Sequence, residues 1–237
     1  FASTMHRRAV AAWKMEGDLR KAMEDGQLVP NYQPIVDLKT GRPVGFEALL
    51  RWTHPELGPV SPGEFIPVAE TTGLIIPIGT AVLRQACEDL ALWLESCPSS
   101  PWVSVNAAAA QFGEEGFPSM VLEILGDTGL DPKNLKLEIT ETTLIQQAEK
   151  AGRTLQEVRE EGVKLSLDDF GTGYSSLAYL HKFPVDTIKI DRSFVQAMNG
   201  SPEGREIPRS IILLANSLEM DVVAEGVETE EQADALK

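Results

Sequence analysis

The chain has 237 residues, and its 36 aspartate and glutamate residues outnumber its 21 lysine and arginine residues, so the formal charge is −15. Its length suits one large domain or two small ones, and its 43% apolar and 24% charged residues exclude a disordered chain. The acidic balance excludes a non-specific binder of polymeric nucleic acid, because that function needs a cationic face. If the substrate is a phosphate ester, something other than the net charge of the chain must neutralise it, and a metal ion is the obvious candidate.

The chain begins with a predicted helix followed by a predicted hairpin. Residues 4–25 show a helical spacing of apolar groups that stops at Gly26. Two extended runs follow, Leu28–Val36 and Val44–Trp52, and seven turn-like residues separate them. Because a parallel crossover needs a dozen or more residues, these two strands must be antiparallel.

After the hairpin, helices and strands alternate. The further strands are predicted at Trp102–Asn106, Leu135–Thr140, Val163–Asp168, Thr187–Asp191 and Asp221–Glu225. The helices are predicted near residues 63–72, 77–96, 116–128, 147–161, 175–181 and 205–219, with a last one that starts at Thr229. Alternation of this kind predicts a parallel sheet covered by helices.

The later strands predict which kind of parallel sheet this is. In Leu135–Thr140, leucine or isoleucine stands at every odd position and a polar residue at every even one. A doubly wound open sheet would show near-continuous apolar strands and a glycine-rich phosphate loop, and no G-x-G-x-x-G or G-x-x-x-x-G-K sequence is present. We therefore predict an α/β fold of the (β/α)8 TIM-like barrel type.

Cysteine usage and hydropathy indicate where the chain resides. The two cysteines, Cys87 and Cys97, exclude a disulfide framework and favour a reducing, intracellular setting. No stretch approaches the roughly 18 consecutive apolar residues of a membrane span. The first residues also lack the apolar segment of a signal peptide. We expect a cytoplasmic domain without direct membrane insertion, although a longer protein could be tethered to a membrane through other domains.

Nearly every predicted strand carries a charged or metal-capable side chain at its C-terminal end. These residues are Glu47, Asn106, Glu138, Asp168, Lys189 and Glu225. In barrels of this type, the active site is built at that rim. Four carboxylates would repel each other without a cation, and their oxygens, with that of the amide, suit Mg²⁺, Mn²⁺ or Ca²⁺ rather than zinc. For any one of these residues a solvated charge is the ordinary interpretation, but it does not account for six together.

The loop after the Val163–Asp168 strand begins with two adjacent aspartates, Asp168 and Asp169. Adjacent side chains of a regular strand point to opposite faces, so both can reach one metal centre only if the chain leaves extended geometry. Gly171 and Gly173 permit that departure. The alternative interpretation is an ordinary turn that ends in a helix cap at Ser175.

These motifs resemble those of EAL domains, the cyclic di-GMP phosphodiesterases of bacterial signalling. The segment 45–52, which contains Glu47-Ala48-Leu49, resembles the family signature. In the order and spacing of the family, the resemblance continues through residues 32–36, 61–67, 105–106, 137–141, 168–176, 188–191 and 223–228. It covers residues 27–237 and leaves residues 1–26 as an N-terminal linker or capping helix.

The resemblance implies a barrel whose first strand is antiparallel to the rest. The family continues beyond the position of Lys237 with a last strand and a Gln-Gly-Tyr motif, so we expect the last strand to be missing from this chain and the EAL domain to be C-terminally incomplete. Residues 1–25 also resemble the linker helix that follows a diguanylate cyclase (GGDEF) domain. That likeness implies an N-terminal GGDEF or sensor domain in a longer protein.

The resemblance also implies a role for each site residue. By position, one divalent metal ion would be held by Glu47, Asn106, Glu138 and Asp168, and a second would be reached by Asp168 and Asp169. Lys189 resembles the lysine that orients the attacking water, and Glu225 resembles the acidic residue assigned to metal binding or general base catalysis. Glu141 resembles the glutamate that holds the 169–179 loop, and Gln33 and Arg51 resemble contacts to the dinucleotide.

The implied reaction is metal-dependent hydrolysis of cyclic di-GMP to linear pGpG, supported by Mg²⁺ or Mn²⁺ and inhibited by Ca²⁺. The main alternative is a degenerate EAL domain that binds cyclic di-GMP or a protein partner and hydrolyses nothing. Catalysis is favoured because every implied ligand up to residue 237 is present. A different metal-dependent barrel enzyme acting on sugar phosphates lacks any supporting motif. The resemblance also implies a homodimer, since EAL domains often dimerise.

Overall fold

The computed structural model describes residues 2–96, 101–146, 148–172, 183–199 and 202–237. The helices are Ala2–Glu24 (α1), Pro62–Thr72 (α2), Ile75–Leu94 (α3), Ala109–Phe112 (α4), Phe117–Thr128 (α5), Glu141–Gln146 (α6), Ala148–Glu160 (α7), Arg192–Ala197 (α8), Glu206–Ser217 (α9) and Glu230–Ala235 (α10). Two short 3-10 helices occupy Pro132–Asn134 and Pro202–Arg205. The strands are Leu28–Val36 (β1), Pro43–His54 (β2), Gly58–Val60 (β3), Trp102–Asn106 (β4), Leu135–Thr140 (β5), Lys164–Phe170 (β6), Thr187–Ile190 (β7) and Asp221–Ala224 (β8).

All eight strands form one sheet in the order β1-β2-β4-β5-β6-β7-β8, and the short β3 pairs with β2. β1 is antiparallel to β2, and each later pair along this order is parallel. The sheet is curled: Lys189 of β7 contacts Glu47 of β2, although three strands lie between them in the sheet order. The predicted fold class is confirmed as a partial TIM-like barrel, in which β1 and β8 each pair on one side only within the described residues.

Two sequence-based expectations need correction, and a third lies outside the described residues. The prediction missed β3, which continues the hairpin as a third antiparallel strand with Trp52 opposite Val60. It also placed Glu47 at the end of its strand, whereas β2 runs on to His54. β2 extends beyond Ala48, where its pairing with β4 ends, because β1 and β3 continue to pair with it. The helix predicted around residues 175–181 lies outside the described residues, as does Cys97.

The two faces of the barrel strands are both buried but differ in chemistry. The face toward the helices is apolar, and in β5 it consists of Leu135, Leu137 and Ile139, each at most 2% exposed. The face toward the barrel interior is polar and equally buried; its buried members in β4 to β7 are Ser104, Lys136, Glu138, Ser166, Thr187 and Lys189. The apolar core therefore lies between sheet and helices, and the barrel interior is a polar space enclosed by backbone.

An aromatic ring and a lysine close the N-terminal end of this interior. The Trp102 ring lies against Gly45, where an added Cβ would be 2.4 Å from Trp102 Cδ2. The Lys136 ammonium lies 3.9 Å from the centre of the Trp102 ring and donates a hydrogen bond of 3.1 Å to Thr187 Oγ1. Burial lowers the pKa of Lys136. We call these four residues the barrel floor.

Helix α1 packs against the barrel core through its C-terminal half. Leu19 and Ala22 are fully buried in the core, whereas Trp13 remains exposed. His54 Nε2 lies 3.8 Å from Asp18 Oδ2, and His54 Nδ1 accepts two backbone hydrogen bonds from the turn that follows β2. α1 is thus a packed capping element along this half.

β1 contains two prolines, Pro30 and Pro34, which lie opposite Leu50 and Phe46 of β2. Its side chains toward α3 include Tyr32, whose hydroxyl is hydrogen-bonded to Asp89. Burial and this carboxylate raise the pKa of Tyr32.

Among the described residues, no helix taken alone has the length and hydropathy that a membrane crossing needs; only α2 and α3 reach them jointly, with a bend of 119° between them.

The barrel floor predicts an asymmetric response to added methyl groups. Gly45→Ala should lower the free energy of unfolding by about 1–3 kcal/mol, because the new Cβ overlaps the Trp102 ring. The control is Gly126→Ala within α5, where nothing lies within 4 Å of an added Cβ, and it should raise that free energy by about 0.5–1 kcal/mol. Chemical denaturation measures both, and equal effects would contradict the packing of Trp102 on Gly45.

Candidate active site

The ammonium group of Lys189 lies within the polar interior, and its side chain is only 2% exposed. Four carboxylates surround it. Its Nζ lies 2.6 Å from Glu138 Oε2, 2.7 Å from Glu225 Oε1, 3.2 Å from Asp168 Oδ1 and 3.3 Å from Glu47 Oε2. Charged groups are buried in proteins only when they are paired, and here one cation serves four anions.

Each member of this cluster comes from a different part of the sheet. Glu47, Glu138 and Lys189 lie within β2, β5 and β7, at inward positions of the alternating pattern. Asp168 lies near the end of β6, and Glu225 directly follows β8, where its backbone N–H donates a 3.0 Å hydrogen bond to Ile190 O. The structure thus brings together five of the side chains that the sequence predicted to meet at the barrel rim.

Charge in the cluster is unbalanced toward the negative side. Burial lowers the pKa of Lys189, but the four carboxylates outweigh it and hold this pKa above its ordinary value. Burial raises the pKa of Glu138 and of Glu225, and Lys189 opposes both shifts. Lys189 is therefore charged at neutral pH, and four carboxylates around one ammonium leave an excess of negative charge that a further cation can neutralise.

Asn106 and Asp169 extend the cluster on one side. The Asn106 amide donates a 3.3 Å hydrogen bond to Glu47 Oε1. Asp169 has a left-handed backbone with φ of 55°, and its N–H donates a 3.0 Å hydrogen bond to Asp168 Oδ1. The pairing of β6 with β7 is irregular between Leu167 and Phe170. Burial and the charge of Asp168 raise the pKa of Asp169.

The chain therefore does leave extended geometry at the paired aspartates, but it does so first at Asp169 itself. Gly171 follows with φ of 92°, in the left-handed region that favours glycine. A non-glycine residue in this region costs about 1 kcal/mol or more. Gly173 and the loop after it, up to residue 182, lie outside the described residues.

Glu141 stands apart from the carboxylate cluster. It begins α6, is buried, and its Oε2 accepts a 3.1 Å hydrogen bond from the N–H of Gly171. The contact joins α6 to the chain directly after the paired aspartates. Through this contact, Glu141 can act on the site by positioning this segment.

Gln33 and Arg51 lie beside the cluster on the same face of the hairpin as Glu47. Gln33 is directly opposite Glu47 in the register of β1 and β2. Arg51 is four residues further along β2, which corresponds to about 13 Å. The half-buried Arg51 donates a 3.0 Å hydrogen bond to Leu50 O, and within the described residues its guanidinium forms no ion pair.

The donor set suits a hard divalent cation in its chemistry. Five carboxylates and one amide meet within one polar space, and no nitrogen or sulfur ligand stands among them. Across the described ranges, however, no three His, Cys, Asp or Glu side chains are placed to hold a metal ion. The oxygens point instead at Lys189 Nζ.

The barrel floor has no role among the sequence-based predictions. Lys136 and Thr187 stand at inward positions of β5 and β7, one step below Glu138 and Lys189. The even-numbered polar positions of β5 contained this signal. What the pattern could not provide is the closure of the interior by Trp102, which depends on Gly45 of another strand.

Comparison with known proteins gives a consistent family assignment. The family model described as EAL domain matches residues 16–237. The bifunctional diguanylate cyclase/cyclic di-GMP phosphodiesterase MucR of Pseudomonas aeruginosa is 42% identical over 236 residues, which are 100% of this chain and 34% of MucR. The cyclic di-GMP phosphodiesterase NbdA of the same organism is 42% identical over 230 residues, which are 97% of this chain and 29% of NbdA. The chain thus spans about a third of the length of these relatives.

A solved structure extends the likeness to the fold. The PaMucR phosphodiesterase in its c-di-GMP complex superposes with a TM-score of 0.90 and 43% sequence identity, over 94% of this chain and 90% of that one.

The backbone at Asp169 predicts a specific pattern of tolerance. Asp169→Asn and Asp169→Val both remove the carboxylate, but asparagine adopts left-handed geometry readily and a β-branched residue does not. Relative to Asp169→Asn, Asp169→Val should lower the free energy of unfolding by about 1–3 kcal/mol. Urea denaturation measures the difference. Equal stability of the two variants would show that the φ of 55° is not kept in solution.

Proposed function

Because the chain belongs to the EAL domain family, we propose that it hydrolyses one phosphodiester bond of cyclic di-GMP and releases linear pGpG. The observation that carries this proposal is the convergence of four carboxylates from different strands on the buried Lys189, with Asp169 beside them. The names of MucR and NbdA support the substrate, as does the c-di-GMP complex of PaMucR.

The oxygen donors around Lys189 suit hard divalent ions in their chemistry, and we propose that they bind two, Mg²⁺ or Mn²⁺. Glu47, Asn106, Glu138 and Asp168 would hold the first ion, and Asp168 with Asp169 would hold the second. When bound, such ions neutralise phosphate charge and lower the pKa of a coordinated water. They also resolve the conflict between an anionic substrate and a chain of charge −15, because charge at the site outweighs the distant net charge.

The protein groups would orient the reactants and move protons. Lys189 would donate a hydrogen bond to the attacking water, and Glu225, whose Oε1 lies 2.7 Å from Lys189 Nζ, would accept its proton. Burial raises the pKa of Glu225, which makes this carboxylate a better base. The water oxygen bonds to phosphorus, the bond to the 3′ oxygen breaks, and that oxygen takes up a proton from solvent water and leaves as a hydroxyl.

The remaining residues would bind and position. Arg51 presents a forked donor that matches a phosphate, and Gln33 lies opposite Glu47 at the same rim. Glu141 would hold the segment after the paired aspartates through the N–H of Gly171. Its role would be positional, because its carboxylate contacts backbone rather than the cluster.

We further propose the setting of this activity. Residues 27–237 form the catalytic domain, and residues 1–26 form a capping helix that leads from an upstream GGDEF or sensor domain, as the bifunctional name of MucR supports. We also propose a cytoplasmic location, which the buried free thiol of Cys87 supports, and a homodimer.

Direct assay of the 237-residue chain tests the proposal. Incubation with cyclic di-GMP and Mg²⁺ or Mn²⁺ should yield pGpG by liquid chromatography, and excess chelator should abolish it. Ca²⁺ should suppress turnover, because it prefers longer bonds and more ligands than a two-metal site provides. Binding of cyclic di-GMP without any pGpG would support a receptor instead. Full activity in excess chelator would reject the metal assignment.

Glu141 provides a test of the positional role. Glu141→Ala should lower turnover about 10- to 100-fold without changing the affinity for Mn²⁺, because it releases Gly171 and removes no ligand. Glu141→Gln keeps an acceptor for the Gly171 N–H and should lose less. The exposed Glu123→Ala of α5 is the matched control and should behave as wild type. Equal losses in the Ala and Gln variants would remove the proposed contact from the mechanism.

A further inference from the structure

We propose that Lys189 is a tethered cation that competes with divalent metal for the carboxylate cluster, so that metal binding is an exchange in which Lys189 gives up part of its carboxylate contacts. This inference rests on the proposed function, since it assumes that the cluster binds divalent ions. It adds a determinant of metal affinity that none of the proposed metal ligands provides.

Lys189 has fewer N–H donors than there are carboxylates around it. A lysine ammonium has three N–H groups, and four carboxylates lie within 3.3 Å of Lys189 Nζ. At least one carboxylate therefore lacks a full hydrogen bond from Lys189. The site holds more anionic oxygen than its internal cation can satisfy, and this excess is what a divalent ion would use.

The four carboxylate contacts of Lys189 Nζ differ in length. Glu138 and Glu225 lie 2.6 Å and 2.7 Å from Nζ, whereas Asp168 and Glu47 lie 3.2 Å and 3.3 Å away. The two longer contacts are also the two that border Asp169 and Asn106. The cluster thus has a lysine side, made by Glu225 and by Oε2 of Glu138, and a metal side, made by Glu47 and Asp168; Glu138 stands between them and would share its carboxylate between Lys189 and the first ion.

A divalent ion bound in this cluster and the Lys189 ammonium would repel each other. A divalent ion bound to Glu47 and Asp168 would lie within a few ångströms of the Lys189 ammonium, inside a buried space where like charges are weakly screened. Both cations cannot use the same oxygens at full strength. The ion would displace Lys189 from the metal side, while the shorter contacts to Glu138 and Glu225 keep the ammonium in the interior.

The barrel floor offers a matched control. Lys136 is a second buried lysine of the same interior, 7% exposed, and it is held by Thr187 Oγ1 and the Trp102 ring. None of the described ion pairs includes Lys136. Lys136→Met removes a buried cation without freeing any carboxylate.

The experiment measures Mn²⁺ affinity and metal-free stability for wild type, Lys189→Met and Lys136→Met. Isothermal titration with MnCl₂ gives the affinity, and thermal unfolding in EDTA gives the stability. Lys189→Met should bind Mn²⁺ about tenfold more tightly than wild type and should melt at a lower temperature in EDTA. Lys136→Met should bind Mn²⁺ within about twofold of wild type.

A second neutral variant keeps the test decisive. Lys189→Gln retains a hydrogen-bond donor without the charge and should show the same gain in affinity. If Lys189→Met folds only when Mn²⁺ is present, this result would support the exchange, because folding of the variant would then depend more strongly on metal binding than folding of wild type. Failure of both Lys189 variants to fold even in Mn²⁺ would overturn the exchange.

The outcomes separate this inference from the function it rests on. Wild-type protein that binds no Mn²⁺ would reject the metal site of the proposed function. Wild-type protein that binds Mn²⁺, with equal or weaker binding by the Lys189 variants, would reject the exchange alone. An equal gain in Lys136→Met would also reject it, because any buried positive charge would then have the same effect.

Discussion

Charge compensation inside the barrel is the constraint on which the rest of this structure depends. Carboxylates from β2, β5, β6 and the end of β8 are enclosed by the sheet, and each would cost several kcal/mol if it were left unpaired. Lys189 meets this requirement from β7. Its position explains why the strands need strictly alternating faces, since a shift of one residue would turn the charged groups into the apolar layer against the helices. The floor of Trp102 and Lys136 then closes the space below.

Much of the fold could be predicted from local rules. The short link between the first two strands is too short for a crossover, which gave the antiparallel hairpin, and the alternation of β5 gave the polar interior. β3 could not be predicted, because a three-residue strand of Gly58–Val60 has no periodicity of its own and exists only through its register with β2. The same register carries β2 on to His54 and places Glu47 in mid-strand.

The residues that form the site could be predicted from the sequence, but the contacts between them could not. Strand alternation placed Glu138 and Lys189 on the inner face, yet they belong to strands that are not neighbours, so their 2.6 Å contact depends on the curl of the whole sheet. Likewise, two adjacent aspartates suggested a break in extended geometry, but the left-handed φ of Asp169 coincides with the irregular pairing of β6 with β7. Long-range curvature and pairing have no local sequence signal.

The prolines of β1 determine what the outer edge of the sheet offers to another strand. Thr53 N donates to Gln27 O across the hairpin, so the odd-numbered residues of β1 direct their backbone groups toward β2 and the even-numbered residues direct theirs away. Pro30 and Pro34 belong to the outward set and contribute no N–H donor. A second copy of the chain that approaches this edge would find an interrupted row of donors, which disfavours intermolecular strand pairing and aggregation along β1.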